Sequence, residues 1–222
     1  MNNAVTNTAR LLAAGLRALL VLTLVTGVAY PLVVTGIAQA LFNNRANGSE
    51  TESDGRVVGS SLIGQAYDLP LRKGQETPEP DLRWFQGRPQ NGLGSNSVNA
   101  RYRLILSGAT NRSADDEDLI DWVTAALAAV VKDNSVSGYT VKPSDVPADA
   151  VTSSGSGLDP DISPQYADIQ VHRVAGRNGL SVSRVEKLVE DHTDGRTLGF
   201  IGEPRVNVLA LNVALEDLLA KR

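Results

Sequence analysis

The chain has 222 residues, 42% of them hydrophobic, a formal net charge of −4, two histidines and no cysteine. This is enough to bury one core but crowded for two full domains. It leaves no disulfide framework or thiolate chemistry and few nitrogen ligands for zinc, and the excess of acids beyond residue 49 speaks against a nucleic-acid partner.

Residues 1–17 read as a short N-terminal segment whose charges are Arg10 and Arg17. Residues 18–42, "ALLVLTLVTGVAYPLVVTGIAQALF", carry none. A helix needs about 20 apolar residues to cross a bilayer, whereas a signal core runs to about 7–15, so a retained span is expected. Ala38-Gln39-Ala40 does supply a small-residue cleavage pattern, which keeps a cleaved signal as the rival. Positive charge stays cytoplasmic, so the N-terminus is expected inside and everything after about Phe42 outside. Pro31 should bend the span, with Thr side chains able to take up the freed carbonyl. Thr23 and Gly27, with Thr35-Gly36, offer a low-profile face for a second helix.

Residues 43–55, "NNRANGSETESDG", read as a polar linker, and 56–222 as one domain. "GRVVGSSLIGQ" and "RYRLIL" are strand-like, with the proline-rich "LPLRKGQETPEPDL" between them as an exposed insertion. A helix is expected from Ser113 as cap, burying Leu119, Trp122, Val123, Ala126, Leu127 and Val130, with Trp122 in the core. "PADAVTSS" reads as a strand entering "SGSGLDPDISP". Ser163-Pro164 should start a helix that ends at Gly179, and Ser181 should cap another that buries Val182, Val185, Leu188 and Val189. "FIGEPRVNV" is expected to be extended and "LALNVALEDLLAKR" helical. The sum is an α+β extracytoplasmic domain on one N-terminal transmembrane helix.

Catalytic motifs fail on spacing. "GSSLIGQ" has the glycines of a phosphate loop but Gln65 where lysine is needed, and "GSGLDP" puts Pro160 in place of the third glycine of a dinucleotide fingerprint. Gly155-Ser156-Gly157 lacks the glycine spacing of a nucleophile elbow. His172 and His192 have no motif that ties either to a serine.

Four stretches together, "GSSLIGQ" with "WFQGRP", "AVTSSGSGLDPDISPQYADIQVHRVA", "GLSVSRVEKLVEDHT" and "LGFIGEPRVNVLALNVALEDL", resemble the KdpC family, the C subunit of the high-affinity potassium-transporting P-type ATPase. The resemblance covers nearly the whole chain, including "GVAYPLVVTGIAQ" in the span. It implies a non-catalytic accessory subunit of the inner (plasma) membrane, whose partners are the channel-like potassium subunit, the ATP-hydrolysing subunit and the lipid bilayer. It also implies a chaperone-like role in raising the catalytic subunit's ATP affinity, with nucleotide near Ser154, Ser156, Gly157 and Asp159 and no other cofactor. Two local departures are Ser107-Gly108-Ala109-Thr110-Asn111, where the family has a S-G-G-S-N patch, and a longer insertion around Pro78 to Pro80. The expected topology puts the serine-rich segment outside and ATP inside, which favours a structural corner: glycines for positive φ, Asp159-Pro160 for the turn, Ser163-Pro164 for the helix start. The alternative function is a secreted enzyme with a cleaved signal peptide.

Overall fold

A computed structural model describes residues 2–75, 78–89, 93–94, 104–105 and 107–221. The chain divides into two compact units, Met1–Glu50 and Thr51–Arg222.

In the first unit, α1 (Asn2–Leu24), a π-helical turn (Val25–Ala29) and α2 (Tyr30–Leu41) run on from one another. Ala4–Leu41 is long and apolar enough to cross a membrane, and none of its most apolar window is buried within the protein. A helix with that much uncovered apolar surface belongs in lipid or against other helices. The π turn answers Pro31. With no proline N–H to continue the regular ladder, the Tyr30 N–H donates to the Val25 carbonyl five residues back, and the Thr26 hydroxyl donates to Leu22 O at 2.7 Å. Past Phe42, α3 (Asn43–Ala46) turns the chain. The Gln39 amide donates to Asn47 Oδ1 (2.9 Å), and Asn43 donates back to Gln39 Oε1 (3.1 Å). This amide knot closes the apolar run with groups that water would otherwise satisfy.

The stretch expected as a plain linker therefore carries structure. Besides α3 it forms β1 (Glu50–Ser53), which pairs with β2 (Arg56–Ser60) across Asp54-Gly55. Both turn residues have positive φ, 50° and 72°, which a two-residue primed hairpin turn demands and Asp-Gly supplies.

β2 ends at Ser60, so the strand expected through Ile63 is cut short. A Cβ on Gly59 would lie 1.7 Å from Gln65 Nε2, which donates to Val58 O (3.0 Å). The glycine thus admits the Gln65 amide, and the segment folds back on itself. Of the strand expected at 101–106, only β4 (Leu104–Ile105) lies within the described residues, antiparallel to β3 (Leu93–Gly94). Residues 76–77 of the proline-rich insertion also lie outside them.

α4 (Glu117–Asn134) starts later than expected. Asp116 is the cap, accepting from Leu119 N–H at 3.0 Å, because the Ser113 hydroxyl is turned to Asp115 instead. Trp122 is not in the core: it is 51% exposed, with the Arg112 guanidinium 4.6 Å from its ring centroid. Arg112 is itself held by Asp116 and Asp118, each at 2.7 Å. Val130 and Asn134, near the C-terminal end, are the buried residues of α4. Helical periodicity found the correct face but not how much of its length is covered.

"PADAVTSS" is a 3₁₀ turn (Ala148–Ala150), not a strand, with the Thr152 hydroxyl back-bonded to Ala148 O (2.7 Å). β5 (Asp161–Ile162) follows, then α5 (Pro164–Asn178), capped as expected by Ser163, which accepts from Tyr166 N–H (3.1 Å). α5 ends at Gly179 with φ 60°, where Leu180 N–H reaches back to Ala175 O (2.9 Å). α6 (Val182–Asp191) buries Val185 and Val189, with Val182 and Leu188 half-buried beside them. Ser181 holds the cap position, but its side chain makes no cap hydrogen bond. β6 (Thr193–Asp194) and β5 flank β7 (Arg205–Asn207) in an antiparallel sheet of order β5-β7-β6. Only Arg205–Asn207 of "FIGEPRVNV" is strand, and α7 (Val208–Ala220) follows with Asn207 as cap. The core gathers Phe85, Ile162, Val174, Val185, Val206, Leu211 and Leu215 around α5, all at 2% exposure or less.

Candidate functional site

The segment Ser154 to Pro164 joins the 3₁₀ turn to α5. Ser154 Oγ lies 3.1 Å from Ser156 Oγ, and the Asp159 and Leu158 amides donate to Ser154 Oγ (3.3 Å) and Ser156 Oγ (3.1 Å). Gly157 is buried with φ 69°, a left-handed conformation that favours glycine. Asp159 Oδ1 accepts from its own turn at Asp161 N–H (3.1 Å), while Oδ2 pairs with Arg88 Nη1 (3.1 Å). The Leu158 and Pro160 carbonyls accept from Gly64 N–H (2.8 Å) and Val208 N–H (3.0 Å). Asp149 completes the corner, accepting from Ser163 N–H at 2.7 Å and from the Ser163 hydroxyl at 3.0 Å. The four residues named from the sequence therefore share one turn, fixed by Arg88 from 71 residues before Asp159, while Asp149 just upstream holds Ser163.

A cleft of about 550 Å³ opens beside this corner. Its charged lining is Arg88 and Arg205 against Asp149, Asp159, Asp161 and Glu203. Both guanidiniums are paired, Arg88 to Asp159 and Arg205 to Asp161 (3.1 Å each), while the buried Arg88 Nε has no hydrogen-bond partner among the described residues. Burial pushes the Asp161 carboxyl above the usual carboxylate range, partly offset by the Asn207 amide and the Arg205 charge. Phosphate recognition asks for free amides, hydroxyls and cations around an anion. Here the two serine hydroxyls already accept turn amides, and carboxylates outnumber guanidiniums in the cleft lining.

Sequence reasoning missed a buried polar frame. The segment Leu82–Gln86, with no sheet to pair it, is held by side chains of two helices. Asn212 of α7 accepts from Phe85 N–H and donates to Phe85 O, both at 2.9 Å, and Gln170 of α5 does the same for Gln86 at 2.7 and 3.0 Å. Arg173, 1% exposed, donates to Asn134 Oδ1 (2.8 Å), Gln170 Oε1 (2.6 Å), Trp84 O (2.9 Å) and Leu82 O. Burial lowers its pKa to about 10, which still leaves it charged at neutral pH. Tyr166, buried nearby, is pushed up to about 12 for the same reason. A cavity of about 410 Å³ lies over this frame, walled by Leu82, Ala126, Val130 and Tyr166. The frame uses its hydrogen bonds on backbone and so orders the fold.

The two histidines are likewise absorbed. His172 stacks on Tyr139 at 3.9 Å, and His192 Nδ1 lies 2.8 Å from Leu188 O. Among the described residues, no group of three or more His, Asp or Glu is placed to hold a metal ion.

A long uncovered apolar helix, long enough to cross a membrane, thus precedes a domain whose polar clusters serve its own backbone. The sequence matches the family described as "KdpC: K+-transporting ATPase, c chain" over residues 12–217. It is 76% identical to the potassium-transporting ATPase KdpC subunit of Streptomyces avermitilis over 99% of both chains. It is 73% identical to that of Streptomyces coelicolor, over 99% of this chain and 98% of the relative. With the Mycobacterium tuberculosis KdpC subunit it shares 42% identity over 94% of this chain and 99% of the relative. The chain belongs to the KdpC family, a non-catalytic subunit of the potassium-transporting ATPase.

Proposed function

We propose that this chain is an assembly subunit of an ATP-driven potassium uptake complex. Its one span anchors it in the plasma membrane with the N-terminus cytoplasmic, and its α+β domain stands outside, docked on the channel-like subunit. Arg10 and Arg17 before the span, against a single Arg45 followed by acids, support that orientation. The observation that carries the reading is the use of polar groups: Ser154, Ser156, Gly157 and Asp159 hold one another and Arg88 in place, and Asp149 holds the start of α5 through Ser163. Any influence on the catalytic subunit's ATP affinity then passes through assembly, not through nucleotide held at this corner.

ATP titration of the full chain in detergent tests this. The expected result is no saturable binding up to millimolar nucleotide. Saturable binding that disappears in Ser156→Ala would restore the nucleotide role.

A further inference from the structure

Between β6 and β7 the chain forms a closed turn. Thr197 N–H donates to Ile201 O (2.9 Å), Ile201 N–H to Thr197 O (3.0 Å), and Gly199 N–H to Arg196 O (3.0 Å). Leu198, Gly199 and Gly202 all have positive φ, at 55°, 82° and 78°. For Leu198 that conformation is strained, since its Cβ crowds the following carbonyl. The result is display: Leu198 is 79% exposed, Phe200 72% and Ile201 51%, three large apolar side chains within four residues. Exposed large apolar residues elsewhere in the described domain occur singly, as Leu62 and Leu71, or in twos, as Val57 with Val58 and Ile120 with Trp122, and none of these is as exposed as Leu198 and Phe200.

The surroundings distinguish what could cover this tip. Arg196 is paired with Glu203 at 2.6 Å, and Arg205 with Asp161 at 3.1 Å and Asp194 at 3.6 Å. Both arginines of the collar are paired within the chain, and three carboxylates outnumber them. A lipid headgroup layer is sought by unpaired Lys and Arg, and this collar offers none. A bilayer also accepts apolar side chains in any conformation, whereas this turn is fixed by its own hydrogen bonds at the cost of a left-handed leucine. Pre-organisation of that kind favours binding to a shaped protein pocket.

We propose that the turn Leu198 to Gly202 is a docking knob that seats Phe200, flanked by Leu198 and Ile201, in an apolar socket on another protein subunit of the complex. The inference rests on the reading that the domain docks on a partner subunit, and it names the surface that does so. Aromatic anchors in desolvated pockets carry much of an interface's affinity, so Phe200 is the residue whose loss costs most.

The test uses the full chain co-expressed with the other subunits. Phe200 and, as control, Trp122 on α4 are replaced one at a time by a photoreactive benzophenone amino acid, and the assembled complex is irradiated. The expected result is an adduct with another subunit from position 200 and none from position 122. The double variant Leu198→Ser, Phe200→Ser is expected to recover at least tenfold less partner in detergent with its thermal midpoint unchanged. Lipid adducts alone at position 200, or undiminished recovery by the double variant, overturn the knob. Adducts from 122 and not from 200 overturn it while leaving docking by another face. Failure of the unmodified chain to recover any partner overturns the docking reading beneath it.

Discussion

Arg173→Met is expected to lower domain stability by on the order of 4 kcal/mol, because it leaves buried acceptors orphaned in a site shaped for a guanidinium. Asn134 Oδ1 and the Leu82 and Trp84 carbonyls lose their Arg173 donor, while Gln170 Oε1 keeps only Gln86 N–H. At about 2–4 °C per kcal/mol for a domain of this size, the thermal midpoint should fall by roughly 10 °C. Arg173→Lys should recover part of the loss, since an ammonium keeps the charge but not the planar fork that reaches four acceptors. Thermal or urea unfolding of the full chain in detergent measures both. A fall of under about 1 kcal/mol for Arg173→Met would mean that the Leu82–Gln86 segment is held mainly by its packing around Phe85.

Removing residues 1–42 is expected to release the domain from the membrane fraction and to abolish its recovery with the transporter. The physical reason is local concentration. A second contact made by an already tethered domain is worth about 10²–10⁴-fold in apparent affinity, and cutting the tether forfeits it. Fractionation and affinity recovery from co-expressing cells report the two losses separately. Stoichiometric recovery of the truncated domain would show that the span is dispensable for assembly.

Local chemistry carried much of the fold into view. The apolar run, the Ser163-Pro164 start, the Gly179 stop and the valine face of α6 are rules that act within a few residues, and the structure follows them. The Asp54-Gly55 hairpin obeys an equally local rule, but the polar stretch before it, Glu50 to Ser53, reads as linker and hides its first strand. Short strands were poorly legible: β5, β6 and β7 span two or three residues each, too few for alternation to register. At the candidate site, the turn residues were readable from glycine, proline and serine, but Arg88 and Asp149 come from 71 and 14 residues away. The buried frame was least visible. Gln170, Arg173 and Asn212 sit inside helices, where polar residues ordinarily mark the solvent face, and only the unpaired Leu82–Gln86 backbone explains them.

Sidedness is the claim on which the functional account turns, and the absence of native cysteine makes it directly measurable. Gly155 is exposed, and a Cβ there meets nothing within 4 Å, so Gly155→Cys adds a thiol without disturbing the corner; Val5→Cys reports the other end of the span. With a membrane-impermeant thiol reagent on spheroplasts, position 155 should label at once and position 5 only after lysis. Labelling of position 155 only after lysis would place the domain in the cytoplasm and contradict the account.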